Sequence, residues 1–269
     1  MSALREACVE LARRAGDAIM AVYARDFDVE FKGDDSPLTQ ADLASHHVIV
    51  DGLRALAPDI PVLSEEDAGI AWETRRGWAR HWLVDPLDGT REFVKKNGEF
   101  TVNIALVEDG RPVLGVVYAP VFDYLLHAAR GEGAWLRQGD GDIALRTRTP
   151  ATAPLRVAAS RSHLDERTAA ALVRMGDVER HGLGSSLKFC RIAEGRIDVY
   201  PRFGPTSEWD TAAAQCVLEE AGGVVLRLDG TPLDYGRKEN ILNPDFIALG
   251  DASLPWRDCG TPNAAARGT

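Results

Sequence analysis

Several features that often define a protein's class are scarce or absent in this sequence. The first residues, MSALREACVELARRAGDAIMAVYAR, carry charges every few positions, so they lack the unbroken apolar run of a signal peptide or membrane span. The 4 cysteines form no C-x-x-C pair and have no histidine at zinc-site spacing, which argues against a disulfide framework and structural zinc. We expect reduced thiols packed mostly in helices, in a cytoplasmic chain without a transmembrane segment.

Basic charge is also sparse. Lys and Arg number 31 against 41 Asp and Glu, which gives a net charge of −10. No segment gathers enough basic residues to neutralise many phosphates, so the sequence argues against polymeric nucleic acid as a partner. A small anion can still bind an acidic protein where metal ions and basic side chains reverse the local field.

The 269 residues, 45% of them hydrophobic, are enough for one globular unit or two closely packed halves. In the first half, residues 1–150, helical spacing predicts helices over 3–23 and from near Thr39 to just before Pro58. Strand-like runs follow at 81–84, 100–107, 112–118 and 124–129, with a hairpin turn at 108–111. This half is predicted to be α+β, with helices packed on an antiparallel sheet.

The second half, residues 151–269, alternates between strand-like and helical patterns, which is typical of α/β structure. The predicted order is strand 155–159, helix near 164–175, strand near 179–183, helix from Ser185, strand 197–200 and helix 209–221. Residues 147–154, with two prolines, form the predicted seam between the halves.

The densest chemical signal is Asp85-Pro-Leu-Asp-Gly-Thr90, directly after the apolar run 82–84. Pro86 is expected to stop the strand and Gly89 to permit a tight backbone, which places the two carboxylates on one side of the turn. Hard oxygen ligands suit Mg²⁺ better than zinc or copper. An ordinary surface turn is the alternative, because Pro and Asp-Gly are common turn residues.

Three further acidic groups each have an ordinary structural explanation. Ser64-Glu65-Glu66-Asp67 fits a solvated acidic loop. Asp210, in Glu208-Trp-Asp-Thr, fits an N-cap or a first-turn position of the helix that follows. Thr39-Gln-Ala-Asp42 fits a start similar to a capping box.

Taken together and in order, these motifs resemble the inositol monophosphatase superfamily of Li⁺-sensitive, Mg²⁺-dependent phosphatases. The resemblance spans nearly the whole chain and is carried by Glu65-Glu66, Asp85-Pro-Leu-Asp-Gly-Thr90, Trp209-Asp210-Thr-Ala-Ala and Glu220-Ala-Gly-Gly. It implies a layered αβαβα sandwich of the inositol monophosphatase/fructose-1,6-bisphosphatase type. Most metal ligands would lie in the first half and most substrate-recognition residues in the second. Ala214, where the family often has glycine, is a departure that affects helix packing more than the ligands.

The resemblance also implies roles for individual residues. Two or more Mg²⁺ ions would be held by Glu65, Asp85, the carbonyl of Leu87, Asp88 and Asp210. Thr90, with Asp42 behind it, would orient the attacking water and help to deprotonate it, and Glu65 would complete this catalytic group. The substrate phosphate would bind across Leu87, Asp88, Gly89 and Thr90, beside Asp210, and no side-chain nucleophile is needed.

Within the superfamily, the second half is most similar to the 3′(2′),5′-bisphosphate nucleotidases, which clear adenosine 3′,5′-bisphosphate left by sulfate activation. The matching segments are Ser160-Arg-Ser-His163, Gly184-Ser-Ser-Leu-Lys188, Tyr200-Pro-Arg202-Phe-Gly-Pro-Thr and Gly98-Glu-Phe-Thr-Val-Asn. The similarity implies nucleotide contacts from His163, Ser185, Lys188 and Arg202. Lys and Arg pair with a second phosphate, whereas inositol phosphatases usually carry an acidic residue at the position of Arg202. A solvated Lys188 and a surface salt bridge for Arg202 are the alternatives.

The sequence therefore predicts a Mg²⁺-dependent phosphatase that converts adenosine 3′,5′-bisphosphate to AMP and phosphate. An inositol-1-phosphate or other sugar phosphate phosphatase is one alternative, and a non-catalytic nucleotide- or metal-sensing relative is another. The expected partner is a small nucleotide bisphosphate. A monomer or homodimer, and peripheral attachment to the inner membrane, are left open.

Overall fold

A computed structural model describes residues 1–25, 37–139, 141–160 and 166–257. Its helices are α1 (Ser2–Tyr23), α2 (Pro37–Leu56), α3 (Trp72–Arg75), α4 (Thr90–Val94), α5 (Glu166–Met175), α6 (Leu187–Ala193) and α7 (Glu208–Glu220). Its strands are β1 (Val62–Ser64), β2 (Arg80–Asp88), β3 (Thr101–Glu108), β4 (Arg111–Ala119), β5 (Tyr124–Ala129), β6 (Ala134–Gln138), β7 (Gly141–Ala144), β8 (Leu155–Ser160), β9 (Val178–Leu183), β10 (Val199–Arg202), β11 (Val224–Arg227) and β12 (Phe246–Leu249). Short 3₁₀ turns span Glu65–Asp67 and Pro120–Phe122.

The first sheet contains β1 to β7 in chain order. Strands β2 to β5 pair antiparallel, as predicted, β6 and β7 extend the antiparallel pairing, and β1 adds a parallel strand beside β2. Alternate residues of β2 enter different cores: Trp82 and Val84 pack with α1 and α2, while Leu83 packs with α6 and α7. Because both faces are covered, this strand is a continuous apolar run rather than an alternating one.

The second sheet has the order β11-β12-β10-β8-β9. Strands β8, β9 and β10 run parallel, which confirms the predicted α/β character, and β12 pairs antiparallel with β10 and β11. Strands β6, β7, β11 and β12 were not predicted from the sequence. Helix α6 begins at Leu187 rather than at the predicted Ser185.

The elements stack in the predicted αβαβα order. Helices α1 and α2 cover the outer face of the first sheet, α6 and α7 lie between the sheets, and α5 packs on the second sheet. Helix α7 approaches β4 closely at Gly115, where an added Cβ would lie 2.2 Å from the Ala213 carbonyl oxygen. The largest hydrophobic cluster joins Val117 of the first half to Val217 of the second, so the two halves share a core. A boundary at residue 150 stays a prediction.

Cys8, Cys190 and Cys216 are buried free thiols in helices, as expected. His163 and Cys259 lie outside the described residues. In the part of the chain that the structure describes, no helix combines the length and apolar character that crossing a membrane requires.

Candidate active site

Strand β2 carries three of the predicted metal ligands at its carboxyl end: Asp85, the Leu87 carbonyl and Asp88. The prediction that Pro86 stops the strand is wrong, because β2 continues to Asp88. Proline lacks the N–H that a regular ladder needs, so the pairing with β3 shifts register between Asp85 and Asp88 instead of ending. The Pro86 carbonyl accepts a 2.8 Å hydrogen bond from Ser45 Oγ, and the Leu87 N–H donates to Asp85 Oδ1 at 3.0 Å. These bonds hold the irregular segment in place.

The turn after β2 matches the sequence prediction. Gly89 adopts φ +98°, the left-handed region that favours glycine, and the short helix α4 starts at Thr90. Thr90 is exposed. The tight backbone at Gly89 thus redirects the chain immediately after Asp88.

Helix α2 presents one face to this segment. Asp42, Ser45 and His46 stand three and four residues apart, which places them on the same side of a helix. Asp42 is buried and close enough to Glu65 and Glu66 for their charges to raise its pKa. His46 Nδ1 lies 2.9 Å from Ser64 Oγ, directly before Glu65. The helix begins at Pro37, so Thr39 lies inside it rather than at its cap.

Asp210 belongs to the first turn of α7. Its Oδ2 accepts the Ser207 N–H at 2.9 Å, and Ser207 completes a capping box with it. The structural explanation for Asp210 is therefore correct, and the residue also lies near Asp88 and Glu65, whose charges act on it. One carboxylate oxygen caps the helix, which leaves the other available to a ligand.

The acidic side chains perturb one another. Desolvation and the neighbouring carboxylates, Asp88 first, raise the pKa of Asp85 well above its usual range. Desolvation followed by the same neighbour raises the pKa of Asp210 to about 7, and desolvation with Glu66 and Glu65 raises the pKa of Asp42 to about 8. Such a concentration of like charge is costly without a cation, because each carboxylate disfavours ionisation of the next. Within the cluster Asp85 is buried and Glu65 is exposed, so a metal ion can reach the carboxylates from solvent.

These donors fit Mg²⁺, which prefers carboxylate and carbonyl oxygens. Here the fit rests on five acidic side chains that converge on one place from four segments of the chain. They are Asp42 from α2, Glu65 from the 3₁₀ turn, Asp85 and Asp88 from β2, and Asp210 from α7.

A cavity of about 170 Å³ adjoins the acidic cluster and is also lined by basic side chains. Its lining includes Asp88, Gly89, Ser185, Lys188, Tyr200, Arg202 and Asp210. Carboxylates and cations therefore face the same space.

Lys188 is 8% exposed, so it is not the solvated helix residue that the sequence left open. Its Nζ donates to the Ser185 carbonyl at 2.7 Å and lies 5.3 Å from the centre of the Tyr200 ring. Desolvation lowers the pKa of Lys188 to about 8, against the opposing charge of Asp88.

Arg202, at the end of β10, donates from Nη2 to the Pro205 carbonyl at 2.9 Å. Its Nε is buried and has no hydrogen-bond partner among the described residues. A buried donor without a partner is costly, and an anion in the cavity would satisfy it. Among residues 1–25, 37–139, 141–160 and 166–257, Arg202 has no salt-bridge partner, so the alternative of a surface salt bridge finds no support there.

Three further residues at the site escaped the sequence reading: Ser186, Asn103 and Tyr200. All three residues lie inside segments that carried the family resemblance, which was the available signal, although the resemblance assigned them no role. Asn103 also lies in strand β3, whose other residues are mostly apolar core. Its importance comes from its register opposite Asp85.

A second group of possible metal ligands, Glu6, His127 and Asp142, has its own cation. Arg137 donates to Glu6 at 2.8 Å and to Asp142 at 2.5 Å. His127 Nε2 lies 3.1 Å from the Asp142 carboxylate. A guanidinium group already neutralises this cluster, so it serves as an ion-pair network between α1 and the first sheet.

Known proteins share this sequence and fold over most of the chain. The model of the inositol monophosphatase family matches residues 1–252. The 3′(2′),5′-bisphosphate nucleotidase CysQ of Salmonella typhimurium is 54% identical over 245 residues, which cover 90% of this chain and 98% of that protein. The crystal structure of CysQ from Bacteroides thetaiotaomicron superposes with a TM-score of 0.83 at 41% identity, covering 92% of this chain and 97% of that one. An inositol monophosphatase from Zymomonas mobilis gives a TM-score of 0.77 at 25% identity, with 96% and 97% covered. The chain therefore belongs to the inositol monophosphatase family.

Proposed function

We propose that this chain is a Mg²⁺-dependent 3′(2′),5′-bisphosphate nucleotidase that hydrolyses the 3′-phosphate of adenosine 3′,5′-bisphosphate to AMP and phosphate. The similarity to proteins named for this activity supports the reaction class. The observation that carries the choice of substrate is the cavity in which Asp88 and Asp210 face Lys188 and Arg202. A substrate with one phosphate to cleave and a second to bind matches that distribution of charge.

In this proposal the acidic cluster holds the metal and the cavity holds the nucleotide. The metal ligands are the side chains of Glu65, Asp85, Asp88 and Asp210 and the carbonyl of Leu87. When bound, Mg²⁺ polarises the phosphate and makes a water molecule more acidic at neutral pH.

The other residues orient the reactants. Thr90 positions the attacking water, and Asp42 behind it helps to deprotonate that water. Lys188 and Arg202 hold the 5′-phosphate away from the metal, beside Ser185. This arrangement aligns the 3′-phosphate and accounts for its selective cleavage. His163 belongs to the same proposal and lies outside the described residues.

Hydrolysis of an inositol or sugar monophosphate is the competing assignment, since inositol monophosphatases share the fold. A polyol is recognised by groups that accept hydrogen bonds from its hydroxyls, whereas Lys188 and Arg202 only donate. Their position in the cavity favours a second phosphate. A cytoplasmic site of action, as part of sulfur assimilation, completes the proposal.

A panel of phosphate-release assays tests it. The substrates are adenosine 3′,5′-bisphosphate, inositol-1-phosphate and fructose-1,6-bisphosphate, each with Mg²⁺ and with excess EDTA. We expect the highest kcat/KM on the adenosine bisphosphate and loss of activity with EDTA. A preference for inositol-1-phosphate would replace the proposed substrate, and absence of Mg²⁺-dependent turnover on all three would favour a non-catalytic relative.

A further inference from the structure

Asp88 receives hydrogen bonds from two residues that the family resemblance did not assign. Ser186 Oγ lies 3.0 Å from Asp88 Oδ2, and the Ser186 N–H and the Asn103 side chain also hydrogen-bond this carboxylate. An ionised carboxylate can only accept, so the amide nitrogen of Asn103 must be the atom that faces it. Both of the residues around Asp88 are almost fully buried, each at 1% exposure. Their side chains are therefore held by packing as well as by these bonds.

Ser186 also contacts Asp210, another member of the acidic cluster. Its Oγ lies 2.7 Å from the carbonyl oxygen of Asp210 and 3.1 Å from Asn103 Nδ2, which donates to it. The hydroxyl has one hydrogen to share between the Asp88 carboxylate and the Asp210 carbonyl, while its lone pair accepts from the amide. One side chain thus connects the end of β2 to the first turn of α7.

The partners of this serine come from separate layers of the fold. Asn103 lies on β3 opposite Asp85, and Ser186 is the N-cap residue of α6, two positions before Lys188. A shift of α6 or α7 relative to the first sheet would therefore change the separation of Asp88 from Lys188 or from Asp210. Residues behind metal ligands orient them in this way and influence metal affinity strongly.

We infer that Ser186 and Asn103 are positioning residues, which set the Asp88 carboxylate and the first turn of α7 for binding of a divalent cation. The inference rests on the proposed role of Asp88 and Asp210 as metal ligands. It goes beyond that role by assigning the geometry of the metal site to a contact between β3 and α6.

Calorimetric titration of the protein with MgCl₂ alone, without substrate, tests the inference directly. The variants are Ser186→Ala, Asn103→Ala and the double variant. Each single change should weaken Mg²⁺ binding by about tenfold to a hundredfold. Because both residues act on the same carboxylate, the double variant should lose less than the product of the two single losses.

Cys190→Ala is the matched control on the same helix, since it removes one buried side-chain atom that packs in the core. It should lower the melting temperature and leave Mg²⁺ affinity unchanged. If Asn103→Ala fails to fold, Asn103→Leu keeps the volume of the side chain while removing its donors. Wild-type Mg²⁺ affinity in the folded Ser186 and Asn103 variants would overturn the inference, as would losses that multiply independently.

The same experiment separates this inference from the proposed function. Suppose that the wild-type protein binds Mg²⁺ more tightly than the Ser186 and Asn103 variants but releases no phosphate from adenosine 3′,5′-bisphosphate. Only the proposed substrate would then be contradicted. Turnover of that substrate with unaltered Mg²⁺ affinity in Ser186→Ala would remove the positioning role alone.

Discussion

Two buried aspartates in this molecule have opposite electrostatic surroundings. Asp198 accepts five hydrogen bonds of 2.8–3.2 Å from the guanidinium groups of Arg148 and Arg156 and from the Arg156 amide. Desolvation opposes ionisation, but the bonds and charges of the two arginines outweigh it and hold the pKa of Asp198 below its usual value. Asp85 is equally hidden from solvent and faces other carboxylates, which together with desolvation raise its pKa.

The difference separates a carboxylate that stabilises the fold from carboxylates that are arranged to bind a cation. Around Asp198 the chain supplies its own cations, and the resulting network ties the segment after β7 to the second sheet. In the acidic cluster the chain collects negative charge from four segments and leaves the cation to be supplied from outside. A fold tolerates such a concentration of charge where binding repays its cost.

The largest expected effect comes from Asp88→Asn, which keeps the shape of the side chain and removes one charge from the acidic cluster. With Mg²⁺ at saturation, kcat should fall on the order of a thousandfold, because the proposed metal site loses an anionic ligand. The metal-free variant should unfold at or above the wild-type temperature, since one repelling charge is gone. Phosphate release and thermal unfolding measure the two quantities. A near wild-type kcat would contradict the metal assignment.

The same substitution at Asp198 should have the reverse outcome. Asp198→Asn leaves two arginines facing a neutral amide, and the free energy of unfolding should fall by about 3 kcal/mol. The kcat of the folded fraction should stay unchanged, because Asp198 lies outside the cavity. Denaturant unfolding and a turnover assay on the same sample check this. Unaltered stability together with lost turnover would contradict the structural role assigned to Asp198.

Mg²⁺ itself should stabilise the protein through the acidic cluster alone. At a hundredfold excess over its dissociation constant, a bound ligand adds about 2.7 kcal/mol to the free energy of unfolding. We expect this increment in wild type and in Asp198→Asn, a much smaller one in Asp88→Asn, and reversal by EDTA. Melting temperatures across a MgCl₂ series provide the measurement. An equal increment in all three proteins would place the metal elsewhere.

Loss of a basic side chain that lines the cavity should lower kcat/KM for one substrate and not for another. Arg202→Ala and Lys188→Ala should each cost about 1.5–3 kcal/mol in kcat/KM on adenosine 3′,5′-bisphosphate, roughly tenfold to a hundredfold. Hydrolysis of adenosine 3′-monophosphate should hardly change, because that substrate has no second phosphate. The monophosphate is the necessary control for both variants, since Lys188 also interacts electrostatically with Asp88 and Arg202 with Asp210. Equal losses on both substrates would mean that these residues support the fold or the metal site.

The smallest effect concerns pH. The folded pKa of Asp198 lies below its unfolded value of about 3.9, so the stabilisation it provides is complete above that value. It is lost as the pH falls through the folded pKa. The difference in unfolding free energy between wild type and Asp198→Asn should therefore be constant from neutral pH to about pH 4 and narrow below it. Urea titrations at stepped pH values measure it. A difference that widens under acid would reverse the assigned sign.

Elements set by local sequence patterns were predicted well, and those that depend on contacts between distant residues were not. Helices α1, α2 and α7 were predicted to within a few residues, because an apolar face repeats at helical spacing along one segment. The end of β2 was misplaced because a proline usually interrupts a ladder. Here Ser45, 41 residues away, supports the Pro86 carbonyl and the strand continues through an irregularity.

The amino-acid sequence by itself determined the chemistry of this protein. The residue types of the Asp85-Pro-Leu-Asp-Gly-Thr90 motif suit a metal that prefers oxygen ligands, and the order of the motifs along the chain, which resembles the family, implied the roles of Asp210, Lys188 and Arg202.

Only the tertiary structure decided which residues orient that chemistry. The contact between Asn103 and Ser186 joins positions 83 residues apart, and the contact between Ser186 and Asp88 joins positions 98 apart. Ser186 and Asn103 lie in segments that carried the family resemblance, but nothing in the sequence pairs them with each other or with Asp88. The packing of α6 and α7 against the first sheet brings them together, removes water and leaves a few hydrogen bonds to hold the carboxylate in place.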